Sequence, residues 1–222
     1  MELRSSMVNE TSRIIGDRLN ARLQEAGMAP LDAGIAGRFG DFFALLERWN
    51  ARTNLTSIRD EQGILSRHFV ESIVCARALP AGVATLLDFG SGAGFPGIPI
   101  ALCRPEIAVT LAESQGKKGA FLREAVRTLG LGTVVHSGRA ELLHDFFDCV
   151  TLRAVDRMTG AVLKATERIA PRGWLALMTT DAESLRLRPL IGGELQWAKP
   201  IQLAGSDQRM LALAQRAGSP VV

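Results

Sequence analysis

The sequence predicts an α/β fold, a mostly parallel sheet with helices on both faces and an N-terminal helical extension. Three observations carry this expectation. The first eighty residues read as successive amphipathic helices, short apolar runs alternate with helical stretches from Thr85 onward, and the first of those runs ends in a loop with glycines at alternate positions. Strands joined through helical crossovers pair in parallel and bury both faces of their sheet. With 222 residues, 47% of them hydrophobic, the chain can bury a sizeable core and lacks the composition of a disordered or fibrous protein.

Taken in order, Ile14, Ile15, Leu19 and Leu23 recur at helical spacing from about 7 to 27, and the pattern stops near Gly27 and Pro30. A second helix from about 34 to 50 puts Ile35, Phe39, Phe42, Phe43, Leu46 and Trp49 on one stripe; that spacing marks core, not a base-stacking platform. A third, about 60 to 79, uses Ile64, Leu65, Phe69, Ile73 and Val74 and stops at Pro80. Strands are then expected at Thr85–Phe89, Ala108–Ala112, Thr133–His136, Cys149–Ala154 and Trp174–Thr179, with helices starting at Ile98 and over about 116–129 and 159–169. The segments Gly193–Pro200 and Arg209–Gln215 read as two last strands forming an antiparallel edge. No repeat or long linker separates residues 1–80 from 81–222, so the helices are expected to form a cap packed on the sheet domain.

Charge is more informative by segment than in sum. Residues 1–85 carry 10 Lys+Arg against 10 Asp+Glu, residues 86–150 carry 6 against 7, and residues 151–222 carry 10 against 6. Of the basic residues 22 are Arg, the better planar partner for phosphates and guanine edges, so the balance permits nucleic acid without announcing it. Cys75, Cys103 and Cys149 stand far apart and form no metal-ligand pattern; they read as buried thiols of a cytoplasmic protein. The N-terminus has no basic-then-apolar leader, and the most apolar stretch, 83–103, is broken by Asp88, four glycines and two prolines. Neither secretion nor a membrane span is expected.

The centre of the chain's chemistry is Leu86-Leu87-Asp88-Phe89-Gly90-Ser91-Gly92-Ala93-Gly94-Phe95-Pro96-Gly97. Glycines placed directly after a strand let the backbone turn sharply and approach a ligand. Gly92, Gly94 and Gly97 satisfy G-x-G-x-x-G, which alone leaves a dinucleotide-binding dehydrogenase open. Asp88 argues against it: a carboxylate expected to face the ligand would repel a pyrophosphate but suits the cationic S-adenosylmethionine. The order D-x-G-x-G-x-G is that of a class I S-adenosylmethionine-dependent methyltransferase with a Rossmann-like sheet. Glu113 closes the second strand, where a carboxylate can accept both ribose hydroxyls, and Ser137-Gly138-Arg139-Ala140-Glu141 follows the third, at the edge expected to cover adenine.

The loop, extended through Ile98-Pro99 and Arg104-Pro105-Glu106, resembles that of the RsmG (GidB) family of bacterial 16S rRNA guanine-N7 methyltransferases. The likeness includes Asn54-Leu55-Thr56-Ser57, Arg67-His68-Phe69-Val70-Glu71-Ser72, Glu113-Ser114-Gln115-Gly116-Lys117-Lys118, Phe121-Leu122, Arg139-Ala140-Glu141 and Arg153-Ala154-Val155, across roughly residues 35–180. The resemblance implies methyl transfer from S-adenosylmethionine to N7 of a guanosine in 16S rRNA. It implies that Gly90 and Phe95 contact the cofactor, that Ala140 and Glu141 lie by the adenine, and that Arg153 lies near the methyl donor. One departure is notable: the fifth strand ends Leu177-Met178-Thr179-Thr180, without the lysine that relatives tend to carry, and Arg172 or Arg186 are candidates to replace it.

Guanine N7 is a lone-pair acceptor and attacks without deprotonation, so the chemistry demands position and charge stabilisation, not a general base. The sequence fits: no N-P-P-Y follows the fourth strand, and no Pro-Cys nucleophile is present. Arg153 is the expected catalytic residue, reaching guanine O6, a phosphate or the methionine carboxylate of the cofactor. Asp88, Gly90, Gly92, Gly94, Phe95, Glu113, Ala140, Glu141 and Arg153 are the expected cofactor-binding set, and Arg67, Lys117, Lys118 and Arg139 the candidates for RNA. His68 is expected to be a packed, hydrogen-bonded residue. The expected partner is 16S rRNA or a small-subunit particle, bound by a monomer that requires no metal. A methyltransferase of proteins or small molecules, or a non-catalytic RNA- or nucleotide-binding module, are the alternatives.

Overall fold

The helical spacing before residue 80 becomes α1 (Glu2–Glu25), α2 (Ala33–Thr53), and a third helix in three parts: α3 (Glu61–Gly63), a π-helical segment (Ile64–Val70) and α4 (Glu71–Ala78). The computed structural model describes residues 2–154 and 158–218, with side chains from Glu10 onward; Val155 of the Arg153-Ala154-Val155 motif lies outside the described residues. Asp32 caps α2 by accepting from the Ile35 amide, and Asp60 caps α3 by accepting from Gly63. Asn54, at φ 48°, ends α2 in the left-handed region, which Asn tolerates better than most residues.

The sheet is built from β1 (Thr85–Phe89), β2 (Ala108–Glu113), β3 (Val134–Ser137), β4 (Phe147–Arg153), β5 (Ile169–Thr180), β6 (Leu195–Trp197), β7 (Ile201–Gln202) and β8 (Arg209–Arg216). The crossover helices are α5 (Gly97–Cys103), α6 (Gly116–Thr128), α7 (Met158–Thr166) and α8 (Asp181–Ile191). Its order is β3-β2-β1-β4-β5-β8-β6, with β7 also on β8; the first five strands are mutually parallel and β8 runs antiparallel. The expected mostly parallel α/β sheet is present. Two details differ. Arg209–Arg216 is an interior strand, paired with β5 on one side and with β6 and β7 on the other, because residues 210–214 are all buried. Helix α8 was not expected, although Thr180-x-x-Glu183 is a readable capping signal: the Thr180 hydroxyl accepts from the Glu183 amide.

Alternate strand residues serve opposite faces. Leu86, Val109, Leu111 and Cys149 point to the side where Leu19, Leu23, Phe39, Phe42, Phe69 and Phe121 pack, so α1, α2, the π-helical segment and α4 to α6 share one core with the sheet. Leu87, Ala112, Val150, Leu152 and Leu177 point to the other side, covered by Val162 and Ala165 of α7 and Leu187 of α8. No helix among the described residues is long and apolar enough to cross a membrane. Because β1, β2 and β4 run parallel, their C-terminal ends Phe89, Glu113 and Arg153 come out on the same edge of the sheet. That edge is where open α/β sheets bind ligands.

Candidate active site

Beyond β1 the loop folds back on the end of β2: the amides of Gly90 and Ser91 both donate to the Ala112 carbonyl at 3.0 Å. Gly90, Gly92 and Gly94 hold φ of 76°, 56° and 88°, a region that side chains disfavour, so their alternation is a backbone requirement. Glu113 closes the arrangement. Its Oε2 accepts from the Gly92 amide at 2.9 Å and its Oε1 from the Gln115 amide at 2.7 Å, joining the loop to the turn after β2.

Asp88 is not where the sequence placed it. The side chain is 1% exposed and lies under the loop: Oδ2 accepts from the Gly97 amide at 3.1 Å and Oδ1 from the Thr151 hydroxyl at 3.0 Å. Burial pushes its pKa up to about 6 against the opposing hydrogen bonds from Thr151, Gly97 and Ser91. A carboxylate one residue before the strand end alternates away from the ligand side, so it shapes the loop from beneath instead of meeting a ligand. Gly94 is likewise set back, against Ile98 and Leu122.

A cleft of about 810 Å³ opens over the loop. Gly90, Gly92, Phe95, Glu113, Ala140, Glu141 and Arg153 line it, so seven of the nine expected cofactor residues meet in one place. Phe89, Ala112 and Ala161 add apolar wall, and Gly92 leaves open space, since a Cβ there would meet only the Gly90 carbonyl at 3.9 Å. Size, apolar walls and a carboxylate at the end of β2 fit an adenosine-sized ligand. Beside Ala140, which sits in a 3₁₀ turn (Ala140–Leu142), Glu141 accepts from Lys164 of α7 at 2.9 Å; that bond holds its carboxyl below the usual range. Lys164 and Gly160, also in the lining, were not anticipated, because nothing local in α7 signals that it borders the cleft.

The opposite wall belongs to the π-helical segment. His68 stacks on Phe95 with ring centroids 4.5 Å apart and shares a 2.8 Å hydrogen bond with the Thr56 hydroxyl. Burial, with the positive charges of Arg153 and Arg67, lowers its pKa to about 3, so the ring is neutral near pH 7. The expected packed histidine is present, at the border of the cleft. Arg153 enters between this wall and the loop. It donates to the Arg67 carbonyl and, at 3.3 Å, to Glu71, and lies 6.0 Å over the Phe95 ring. Its side chain is 12% exposed, and its Nη1 is buried with no hydrogen-bond partner among the described residues. Glu71 also takes Arg209 at 2.7 Å.

The other candidates separate. Arg67 and Lys118 line the cleft, as does Arg139, whose guanidinium is 3.8 Å from Glu141; Lys117, its neighbour in α6, is exposed and does not line it. Arg172 lies near the start of β5, at the wrong end to stand in for a lysine after Met178, and Arg186 is held by Glu183 and Thr159. The cation that does stand by the end of β5 is Arg209, which the antiparallel register sets opposite Thr180. Cys75 and Cys103 have thiols pushed up to about 12 by burial, and Cys149 is raised by the same cause. None of the three lines the cleft.

Known proteins resemble this chain over most of its length. A family model described as rRNA small subunit methyltransferase G matches residues 36–186. The ribosomal RNA small subunit methyltransferase G of Stenotrophomonas maltophilia is 43% identical over 159 residues, covering 69% of this chain and 74% of that protein. The protein of the same name from Roseiflexus sp. is 36% identical over 230 aligned positions, covering 93% and 89%. Among solved structures, a SAM-dependent methyltransferase from Aquifex aeolicus matches with a TM-score of 0.55 at 15% identity, over 70% of this chain and 93% of that one, a likeness of fold.

Proposed function

The chain belongs to the family of rRNA small subunit methyltransferase G and is an S-adenosylmethionine-dependent methyltransferase; from that premise we propose that it methylates N7 of a guanosine in 16S rRNA, on the RNA or on a small-subunit particle. The observation that carries the reading is the cleft, in which the glycine loop and Glu113 border one half and Arg153 the other. The cofactor supplies a methyl group on a sulfonium.

In this reading Glu113 accepts the ribose hydroxyls while still tying down Gly92, and Ala140 and Glu141 border the adenine. Gly90 and Phe95 shape the floor. Arg153 lines the cleft, its Nη1 has no partner among the described residues, and a guanidinium N–H makes its strongest bond to a carboxylate. The methionine carboxylate is therefore its assigned acceptor, in preference to guanine O6, because positive charge grows on the base as N7 is methylated. Glu71 offsets the guanidinium charge, so Arg153 can orient the donor without opposing that charge. Guanine N7 needs no base, and neutral His68 is a wall that excludes water next to Phe95. Residues 1–80 act as a cap on the catalytic domain of residues 81–222, which works in the cytoplasm as a monomer without a metal.

Labelled methyl transfer to 16S rRNA and to small subunits from cells lacking the enzyme, followed by nucleoside analysis, tests this. N7-methylguanosine is expected. Methyl transfer to another atom, or to protein only, overturns the substrate.

A further inference from the structure

A second groove, of about 590 Å³, is lined by the end of α1, the π-helical segment and the turn between β7 and β8. Arg67 belongs to the lining of both this groove and the methyl-transfer cleft and stands between the two. Arg22 and Arg209 stand further along it. Two of the three are paired, Arg22 with Glu25 at 2.9 Å and Arg209 with Glu71 at 2.7 Å, and Asp60 also lines the groove. Arg67 has no ion-pair partner among the described residues and is exposed.

No aromatic side chain among the described residues lines the groove, so it offers charge for a backbone and no surface for stacking bases. A base inserted to the methyl group would leave its flanking phosphates outside the cleft mouth, where Arg67 stands.

We infer that this groove carries the phosphate backbone flanking the target nucleotide, as single-stranded RNA, with Arg67 at the junction and Arg22 further out. The inference rests on the rRNA methyltransferase reading. Of the residues the sequence offered for RNA, it keeps Arg67 and places Lys118 and Arg139 on the cofactor side.

The test is the dependence of RNA KM on salt for wild type, Arg67→Ala, the double variant Arg22→Ala/Arg67→Ala, and Gln62→Glu, which adds a carboxylate to an exposed position in the groove. Lys199→Ala, an exposed lysine in neither lining, is the charge-matched control. Losing two single-strand phosphate contacts should lower the slope of log KM against log salt by about 1.4 and raise KM about tenfold at physiological salt. Gln62→Glu should move KM the same way, with S-adenosylmethionine affinity within twofold of wild type in every variant as the sign of an intact fold. Arg67→Ala and Gln62→Glu slopes equal to that of Lys199→Ala overturn the groove while leaving the enzyme's assignment standing. A wild-type protein that transfers no methyl to rRNA overturns both.

Discussion

The Glu71 carboxylate meets the Arg153 guanidinium at 3.3 Å with side-chain exposures of 2% and 12%, and its second oxygen takes Arg209. One buried acid thus fixes two cations from different strands. Glu71 begins α4 directly after the π-helical segment, so the N-terminal helices and the C-terminal edge of the sheet are joined at the residue that pairs with Arg153.

Replacing Glu71 by Gln keeps the volume and removes the charge, leaving two guanidiniums partly buried without a counter-ion. The expected cost is about 3 kcal/mol in urea unfolding, because breaking a buried pair from one side exposes the full desolvation penalty. Glu71→Asp should recover part of it. A loss below about 1 kcal/mol would show that the arginines re-pair with water, and that Glu71 does not hold them.

Stability against pH should reveal two opposed slopes. Asp88 titrates near 6 in the fold and near 4 unfolded, so its contribution is present below about pH 4 and lost as pH rises through 6. His68 titrates near 3 in the fold and near 6.5 unfolded, so its contribution is present above 6.5 and lost as pH falls towards 3. They oppose one another between pH 4 and 6. Between pH 4.5 and 6.5, relative to wild type, Asp88→Asn should tilt the unfolding free energy upward with pH by about 2 kcal/mol and His68→Gln downward by a similar amount. Identical profiles for all three proteins would mean that neither group is held as buried as it is here.

Glu113→Gln removes the negative acceptor but keeps one oxygen for the loop. Binding of S-adenosylmethionine and S-adenosylhomocysteine should weaken equally, by tenfold or more, since hydrogen bonds to a charged group contribute about 1.5–3 kcal/mol and the ribose is common to both. Calorimetric affinities within twofold of wild type would place the ribose elsewhere.

Two loop glycines should fail differently. A Cβ at Gly97 would stand 2.3 Å from the Leu111 side chain and 2.7 Å from Asp88 Oδ2, so Gly97→Ala should cost about 1–3 kcal/mol of stability by overpacking. At Gly92 no protein atom crowds a Cβ; the strain is φ 56°, worth about 1–2 kcal/mol, and the added methyl borders the cleft. Gly92→Ala should therefore weaken cofactor binding at least as much as it lowers the melting temperature. Equal affinity for both variants and wild type would detach the loop from the cofactor.

What the sequence by itself determined is local. Thr85–Phe89, the glycine loop and Glu113 form one contiguous strand–turn–helix–strand unit whose backbone demands are written in its residue types, and Gly90, Gly92, Phe95 and Glu113 line one cleft. The aromatic stripe of α2 was equally legible, because burial follows helical period: Phe39, Phe42 and Phe43 are core. Tertiary structure decided the rest. Whether Asp88 faces ligand or lies beneath the loop depends on Thr151 of a neighbouring strand, and the π-helical segment that sets Arg67 and His68 at the cleft has no pattern of its own. Arg209 reaches Glu71 across 138 residues of chain, a meeting fixed by where β8 inserts beside β5. Periodicity and turn chemistry act between near neighbours. A buried charge finds its partner only when the strands that carry it are paired.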